Sequence, residues 1–298
     1  MIDTQLTGSL ADLIYLAGFV AFFSVPFFVY VGLVLVGAVT LPPTKKKGAG
    51  RRLFGPLFIG YYYWLLGPTL RLVARTSLTP NMVTGASLLA ALASAVAIAT
   101  GHFALASALV IGGSSFDIID GYLARVKKMA SPAGAFFDST VDRINDGLMF
   151  SGCAVYYSGT PMMYVCLAAL VMTYTVSYTR SRGEALGLTG AEGLMQRADR
   201  IVVLGIALAF SPYFGHRAEG FVAHPFYAVT AGALCLLALL NTVTAVSRIS
   251  WSLRQLKRAE IKAYAPRSTR DDIPEASLTP VPSTSSAPLG SQVPPTVV

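Results

Sequence analysis

Charged residues are scarce in this chain of 298 residues: only 13% are Asp, Glu, Lys or Arg, whereas 54% are hydrophobic. An average soluble domain carries about 25% charge. Residues 13–41, 81–116 and 147–179 contain no charged side chain, and each stretch exceeds the roughly 20 apolar residues that a membrane-spanning helix needs. The shortage of charge therefore predicts an all-α polytopic membrane protein. A large soluble helical core is the disfavoured alternative.

Cysteine and histidine are also rare, with three of each. Cys153, Cys166 and Cys235 all fall in apolar stretches, where we expect them to be small buried apolar residues. Neither a disulfide framework nor a thiolate metal site is indicated. The histidines are scattered near predicted loops, which argues against a histidine-ligated metal.

A basic n-region is missing before the first apolar stretch, so the N-terminus is not a typical signal peptide. We expect residues 13–41 to be a retained first span. The net charge of +8 would suggest nucleic acid in a soluble protein. In a membrane protein, basic loops on the cytoplasmic side explain the charge, so we expect the lipid bilayer and no nucleic acid as a partner.

The charge pattern divides the chain into four parts. Residues 1–52 hold the extra N-terminal transmembrane helix and a basic cytoplasmic linker, "PPTKKKGAGRR". Residues 53–77 are aromatic-rich and predict an interfacial helix, with a short span as the alternative. Residues 78–258 hold a six-span core, and residues 259–298 predict a disordered cytoplasmic tail. The six core spans are expected over residues 81–100, 103–126, 132–157, 162–182, 197–213 and 222–248, which gives seven spans with the first.

Aspartates are concentrated in one segment, "DIIDGYLARVKKMASPAGAFFDSTVDRIND" at 117–146. Asp117 and Asp120 lie one turn apart at the end of one span, and Asp138 and Asp142 share a face at the start of the next. Carboxylates near a membrane need a counter-charge. Oxygen-only ligands favour Mg²⁺ or Mn²⁺, so the segment predicts a metal site for phosphoryl chemistry.

Other residues of this segment support that prediction. Arg125 is suited to bidentate phosphate binding, and Gly121 and Gly134 leave room for a ligand. Asp142, the outermost carboxylate, is the candidate proton acceptor. Asp146 lies outside the pattern, and we expect it to pair with Arg143 or to lie on a polar helix surface. The alternative for the whole cluster is a set of interfacial aspartates paired with nearby Lys and Arg.

The pattern Asp117-x2-Asp120-Gly121-x2-Ala124-Arg125-x8-Gly134-x3-Asp138-x3-Asp142 resembles the CDP-alcohol phosphotransferase signature at every position. The resemblance covers roughly residues 78–255 and implies a six-helix core, a homodimer and two divalent cations, Mg²⁺ or Mn²⁺. It implies displacement of CMP from a CDP-linked donor, typically CDP-diacylglycerol, by an alcohol. By resemblance the metal ligands are Asp117, Asp120, Asp138 and Asp142, with Asp142 also the general base, and the CDP site is formed by Gly121, Ala124, Arg125, Asn81 and Thr84.

Two further stretches bear on the acceptor. "DSTVDRINDG" at 138–147 and the segment 177–200 resemble the phosphatidylinositol-phosphate synthase subgroup, whose acceptor is inositol 1-phosphate. Its phosphate pocket maps to Ser177, Arg180, Arg200 and Arg248, and a cationic pocket suits a phosphorylated acceptor. Two departures are Arg180, where the subgroup often has Lys, and "QRADR" in place of an "ERPER"-like segment.

Several alternatives stay open at this point. Arg182 and Arg197 fit such a pocket or simple positive-inside topology equally well. Glycerol 3-phosphate is the second choice of acceptor, and neutral alcohols such as serine or choline are the third. A cation carrier would place carboxylates near mid-membrane on several helices, and a non-catalytic scaffold would lose signature positions. We therefore expect an enzyme integral to the cell (inner) membrane with its active site on the cytoplasmic side.

Overall fold

The computed structural model describes residues 3–39, 56–188, 195–215 and 228–264. This part of the chain contains eight α-helices and no β-strand. Their bounds are α1 Asp3–Leu35, α2 Pro56–Ala74, α3 Pro80–Ala99, α4 Phe103–Val126, α5 Pro132–Tyr156, α6 Met162–Ala185, α7 Arg197–Gly215 and α8 Ala228–Tyr264. The basic linker, the end of the Gly-rich loop, the start of the last predicted span and most of the tail lie outside the described residues.

The helix starts follow from local chemistry. Thr79 and Ser131 are the N-caps of α3 and α5, and their hydroxyls accept hydrogen bonds from the backbone N–H groups of Met82 and Gly134. In each case proline follows the cap, at a position where the helix needs no N–H donor. The cap at Ser131 begins α5 inside the aspartate segment, between Asp120 and Asp138.

Helices α3 to α8 form a closed ring. Each packs against two neighbours, in the order α5, α3, α4, α7, α8, α6 and back to α5. Aliphatic and aromatic side chains such as Phe103, Phe150, Leu204 and Leu234 fill the core of this ring. Small residues permit the closest approaches: a Cβ on Gly152 of α5 would lie 2.6 Å from the carbonyl oxygen of Ala95 in α3.

Helices α1 and α2 lie outside the ring. α2 packs on α4 and α1 packs on α2 and α7. The Tyr61 hydroxyl of α2 donates to the Phe23 carbonyl of α1 at 2.8 Å, and Phe27 stacks on Phe58 with ring centroids 5.1 Å apart. At the other end of α2, the Lys127 ammonium donates to the carbonyl of Leu78 at 2.7 Å, which joins this region to the end of α4.

The prediction of an all-α membrane protein is confirmed. Among the described residues, five helical segments are long and apolar enough to cross a membrane: Ala17–Leu35, Pro80–Ala99, Phe103–Val126, Met162–Ala185 and Ala228–Ile261. The count of seven spans stays a prediction, because α5 and α7 are not among these five segments. Both helices carry charged residues of the candidate site. The interfacial position of α2 and the four-part division also stay predictions.

Three details of the sequence prediction are wrong. The first helix begins at Asp3 and ends at Leu35, and its apolar stretch is Ala17–Leu35, whereas the sequence predicts a span over residues 13–41. α8 runs to Tyr264, well beyond residue 248 and into the tail that the sequence predicts to be disordered from residue 259. Cys153 and Cys166 are buried, but Cys235 is exposed.

Candidate functional site

The aspartates of α4 and α5 meet at one end of the ring. Asp117, Asp138 and Asp142 each offer a carboxylate oxygen, and these oxygens lie within 4.8 Å of one another. The capped turn between the two helices brings the end of α4 beside the start of α5, and the i,i+4 spacing of Asp138 and Asp142 puts both on the face toward Asp117. We call these three residues the aspartate cluster.

Asp120, the fourth predicted ligand, is not part of this cluster of oxygens. It is 6% exposed and accepts a hydrogen bond from the Thr84 hydroxyl of α3 at 2.6 Å. The structure therefore brings three of the four aspartates together and ties the other to a residue that the resemblance assigns to the nucleotide site.

Arg197, in the first turn of α7, points into the aspartate cluster. Its Nη1 forms ion pairs with Asp117 and, at 2.8 Å, with Oδ1 of Asp142. Its Nε lies 3.5 Å from Oδ1 of Asp146. From the sequence, Arg197 is predicted either to line the acceptor pocket or to be a basic residue that only reflects membrane topology. Its contact with the aspartates is missed, because a basic residue at the start of a span does not indicate which acidic residue it pairs with.

Asp146 has a different role from the one expected. It is 2% exposed, and its Oδ2 accepts from Nη2 of Arg200 at 3.1 Å. The expected pairing with Arg143 is wrong, as is the expected polar surface. Arg143 instead donates to the Ser139 carbonyl and to the Ser181 hydroxyl of α6. One turn after Asp142, Asp146 faces the interior of the ring, whereas Arg143 points toward α6.

The residues assigned by resemblance to the CDP site surround the ends of α3, α4 and α5. A Cβ on Gly121 would meet the Arg125 guanidinium at 3.5 Å, and a Cβ on Gly134 would lie 3.5 Å from Oδ1 of Asn81. Arg125 is exposed, and within the described ranges it forms no ion pair with a carboxylate. Ala124, one residue earlier, is half-buried. An exposed guanidinium beside glycine backbone is suited to a phosphate ligand.

The predicted acceptor residues lie on α6, α7 and α8. Arg200 is 2% exposed and Arg248 is 6% exposed. Nη1 of Arg248 donates to the Val176 carbonyl at 2.9 Å, beside the half-buried Ser177. Arg248 lies within electrostatic range of Arg180 and Arg200. Arg180, Arg200 and Arg248, which the sequence predicts to form a pocket, are therefore near enough to interact electrostatically.

The three arginines differ in whether their side-chain nitrogens have partners. Arg180 points outward, where its Nε forms an ion pair with Glu184 at 2.9 Å. Arg200 has buried Nε and Nη1 atoms without a hydrogen-bond partner among the described residues, and so has Nε of Arg248. Buried donors without partners are costly, so these atoms indicate a place for an anion between α7 and α8.

The donor set of the aspartate cluster fits a hard divalent cation. All the candidate ligand atoms are carboxylate oxygens from Asp117, Asp138 and Asp142, and Mg²⁺ and Mn²⁺ prefer oxygen ligands. Three carboxylates this close repel one another, so their arrangement needs cationic charge near it.

Comparisons with known proteins agree with this geometry. The sequence model of the CDP-alcohol phosphatidyltransferase family matches residues 77–246. The archaetidylinositol phosphate synthase of Methanothermobacter thermautotrophicus is 31% identical over 183 residues, which cover 61% of this chain and 87% of that protein. The phosphatidylinositol phosphate synthase of Corynebacterium glutamicum is 36% identical over 155 residues, covering 49% of this chain and 70% of that protein.

Solved structures similar to this chain are also phosphatidylinositol phosphate synthases. The Mycobacterium tuberculosis phosphatidylinositol phosphate synthase with CDP-DAG bound has a TM-score of 0.54 and 28% identity, covering 62% of this chain and 92% of that one. The same synthase in complex with manganese and citrate has a TM-score of 0.55, covering 62% and 88%. The family match spans the whole ring up to the middle of α8, including the aspartate cluster. The chain belongs to the CDP-alcohol phosphatidyltransferase family and is a multi-pass membrane phosphotransferase.

Proposed function

We propose that this enzyme transfers a phosphatidyl group from CDP-diacylglycerol to inositol 1-phosphate and releases CMP. The observation that carries the choice of acceptor is that the buried residues Arg200 and Arg248 both have side-chain nitrogens without a hydrogen-bond partner among the described residues. An anionic acceptor gives these nitrogens a partner, and a neutral alcohol does not. The names of the relatives and of the neighbouring structures support the same acceptor.

Asp117, Asp120, Asp138 and Asp142 would hold two divalent cations, Mg²⁺ or Mn²⁺. Bound there, the cations would supply the electrostatic stabilisation of the departing CMP phosphate. Asp120 would be oriented for this role by the Thr84 hydroxyl, which donates to its Oδ2. The donor would lie against Gly121, Ala124 and Arg125, with Asn81 and Thr84 beside it.

Asp142 is the proposed general base. Its carboxylate accepts the proton of the acceptor hydroxyl as the hydroxyl oxygen forms a bond to the phosphorus that carries the diacylglycerol. The bond between that phosphorus and the oxygen bridging to CMP breaks, and CMP leaves with this oxygen. Arg125 is placed to bind the donor phosphates throughout, because it has no carboxylate partner in the described part of the chain.

Ser177, Arg180, Arg200 and Arg248 are the proposed acceptor-phosphate pocket. Arg200 is held in place by Asp146 at 3.1 Å, and Arg248 by the Val176 carbonyl at 2.9 Å. Both guanidinium groups are therefore oriented before the ligand arrives, which reduces the entropic penalty of binding. Glycerol 3-phosphate is the second candidate, because it needs the same cationic pocket.

We infer that the site faces the cytoplasm from the cell (inner) membrane. Basic residues of α4, α6, α7 and α8 lie at the same end of the ring as the aspartates, and such residues accumulate on the cytoplasmic side. A homodimer is inferred from the family resemblance, and chemical crosslinking in native membranes tests it.

The experiment is CMP release by the purified protein with CDP-diacylglycerol and Mg²⁺ or Mn²⁺. The acceptor panel holds inositol 1-phosphate, free inositol, glycerol 3-phosphate and serine. Of the four acceptors, we expect only inositol 1-phosphate to support CMP release. This release should be lost when the metal is chelated and should return when the metal is added back. Release with glycerol 3-phosphate alone would favour the second candidate, and release only with a neutral alcohol would contradict the proposed pocket.

A further inference from the structure

Arg197 and a divalent cation would use the same two carboxylates. Arg197 Nη1 pairs with Oδ2 of Asp117 and Oδ1 of Asp142, and both residues contribute to the cluster of oxygens within 4.8 Å. A guanidinium and a metal ion on the same carboxylates repel each other, so the binding of one weakens the binding of the other. Arg197 is therefore a competitor for the site that it contacts.

Arg197 also has a second carboxylate within reach. Its Nε lies 3.5 Å from Oδ1 of Asp146, and this oxygen has no hydrogen-bond partner in the described part of the chain. Asp146 is held from its other side by Arg200 at 3.1 Å. A small rotation of the Arg197 side chain away from Asp117 and Asp142 would bring its Nε into hydrogen-bond range of this oxygen.

Arg197 is half-buried among these carboxylates, with its side chain 20% exposed. Leaving the cluster for solvent would leave Oδ1 of Asp146 without a partner, which is unfavourable in a buried site. Moving to Asp146 keeps the guanidinium paired and gives that oxygen a hydrogen-bond donor. The geometry thus offers one guanidinium two neighbouring sets of carboxylate oxygens.

We propose that Arg197 is a built-in counter-cation of the aspartate cluster, displaced by the metal onto Asp146. This inference rests on the proposed metal site and adds a regulating residue to it. Arg197 pairs with two of the three carboxylates, Asp117 and Asp142, when no metal is bound, and it lowers the metal affinity of the cluster. Asp146 is a positioning residue that receives the guanidinium and connects it to Arg200 in the acceptor pocket.

The test measures Mn²⁺ binding directly, from the electron paramagnetic resonance signal of free Mn²⁺ titrated against purified protein. We compare the wild type with Arg197→Gln and with the control Arg254→Gln. Arg254 is exposed on α8, and its one hydrogen bond among the described residues goes to the Ser250 carbonyl of its own helix, so its loss removes one positive charge without removing a contact to the aspartates. We expect Arg197→Gln to bind Mn²⁺ about 10-fold more tightly and Arg254→Gln to match the wild type.

A double-mutant cycle tests the second position. Asp146→Asn removes the receiving carboxylate, so Mn²⁺ affinity should fall in the wild-type background. In the Arg197→Gln background the same substitution should have a clearly smaller effect, since no guanidinium has to be received. If Asp146→Asn lowers Mn²⁺ affinity equally in both backgrounds, Asp146 acts only through its negative charge. That result would contradict the proposed second position of the Arg197 guanidinium.

A thermal measurement covers the case in which Arg197→Gln is unstable without metal. The melting temperature of this variant should rise more on addition of Mn²⁺ than that of the wild type, because at one ligand concentration the stabilisation increases with the affinity of the bound ligand. Unchanged or weaker Mn²⁺ affinity in Arg197→Gln, with Mn²⁺ bound by the wild type, would overturn the inference and leave the metal site intact. Failure of every form to bind Mn²⁺ would overturn both.

Discussion

The hydroxyl of Thr84 on α3 donates to the carboxylate of Asp120 on α4 at 2.6 Å. Both side chains are buried, and this bond joins two helices at the end of the ring where the aspartates lie. Because the bond is buried, water does not readily replace the hydroxyl if it is lost.

Thr84→Val removes this hydroxyl with little change of shape. We expect the free energy of unfolding to fall by about 1–3 kcal/mol, because a buried carboxylate oxygen loses its partner. We also expect slower CMP release, since Asp120 is no longer oriented. Thermal unfolding in detergent checks the first effect, with Thr175→Val as control: Thr175 is exposed and bonds the Val171 carbonyl of its own helix. Equal melting temperatures for the two variants would contradict the expected role.

Asp142→Asn is expected to lower the rate of CMP release by about 100-fold or more, the usual contribution of a general base. The amide keeps the shape of the side chain but cannot accept the proton. Glu260→Gln, which neutralises an exposed carboxylate on α8, should retain the wild-type rate. Near-normal turnover in Asp142→Asn, with the protein folded, would contradict the general-base assignment.

Arg200→Lys keeps a positive charge beside Asp146 but loses the planar guanidinium. We expect the KM for inositol 1-phosphate to rise about 10-fold while the KM for CDP-diacylglycerol changes little, because a bidentate phosphate contact is lost. Steady-state kinetics with each substrate varied in turn measure the two constants. Parallel increases in both would argue against an acceptor-phosphate role.

Arg200→Ala is predicted to behave differently from the lysine variant. It leaves Asp146 as a buried carboxylate without its Arg200 partner, and breaking such a pair costs about 3–5 kcal/mol. We therefore expect a large drop in melting temperature in addition to any kinetic effect. A stable alanine variant would mean that Arg197 alone neutralises Asp146.

Gly152→Ala tests the packing of the ring. Its Cβ would lie 2.6 Å from the backbone oxygen of Ala95, and backbone cannot move aside as a flexible side chain does. We expect a loss of about 1–3 kcal/mol in the free energy of unfolding, as for other overpacked interfaces. Gly232→Ala on α8 is the matched control, because nothing lies within 4 Å of its added Cβ. It should be neutral or slightly stabilising.

Much of the site could be predicted from local sequence. The spacing of Asp138 and Asp142 puts both on one helix face, and the caps at Thr79 and Ser131 define where α3 and α5 begin. The resemblance to the family follows from residues within a single hairpin. Each of these features depends on neighbours in the chain, which is why the sequence alone predicts them.

Contacts between distant segments could not be predicted in this way. Arg197 and Asp117 are 80 residues apart, and Arg200 and Asp146 are 54 apart. The sequence gives each of these arginines several possible partners at the same end of the ring. The sequence also predicts an ion pair between Asp146 and Arg143, because opposite charges three residues apart can meet on one helix face. Only the structure shows that the two side chains point in different directions.

The sequence by itself determined the membrane class, the helices and the carboxylate signature, because hydrophobic length, capping chemistry and helical spacing are local properties. The tertiary structure decided which three aspartates meet, that Asp120 binds Thr84, and that Arg197 enters the cluster while Asp146 holds Arg200. Those relationships depend on how α3, α4, α5 and α7 come together in the closed ring. Packing of helices from distant parts of the chain places charges that no local pattern connects.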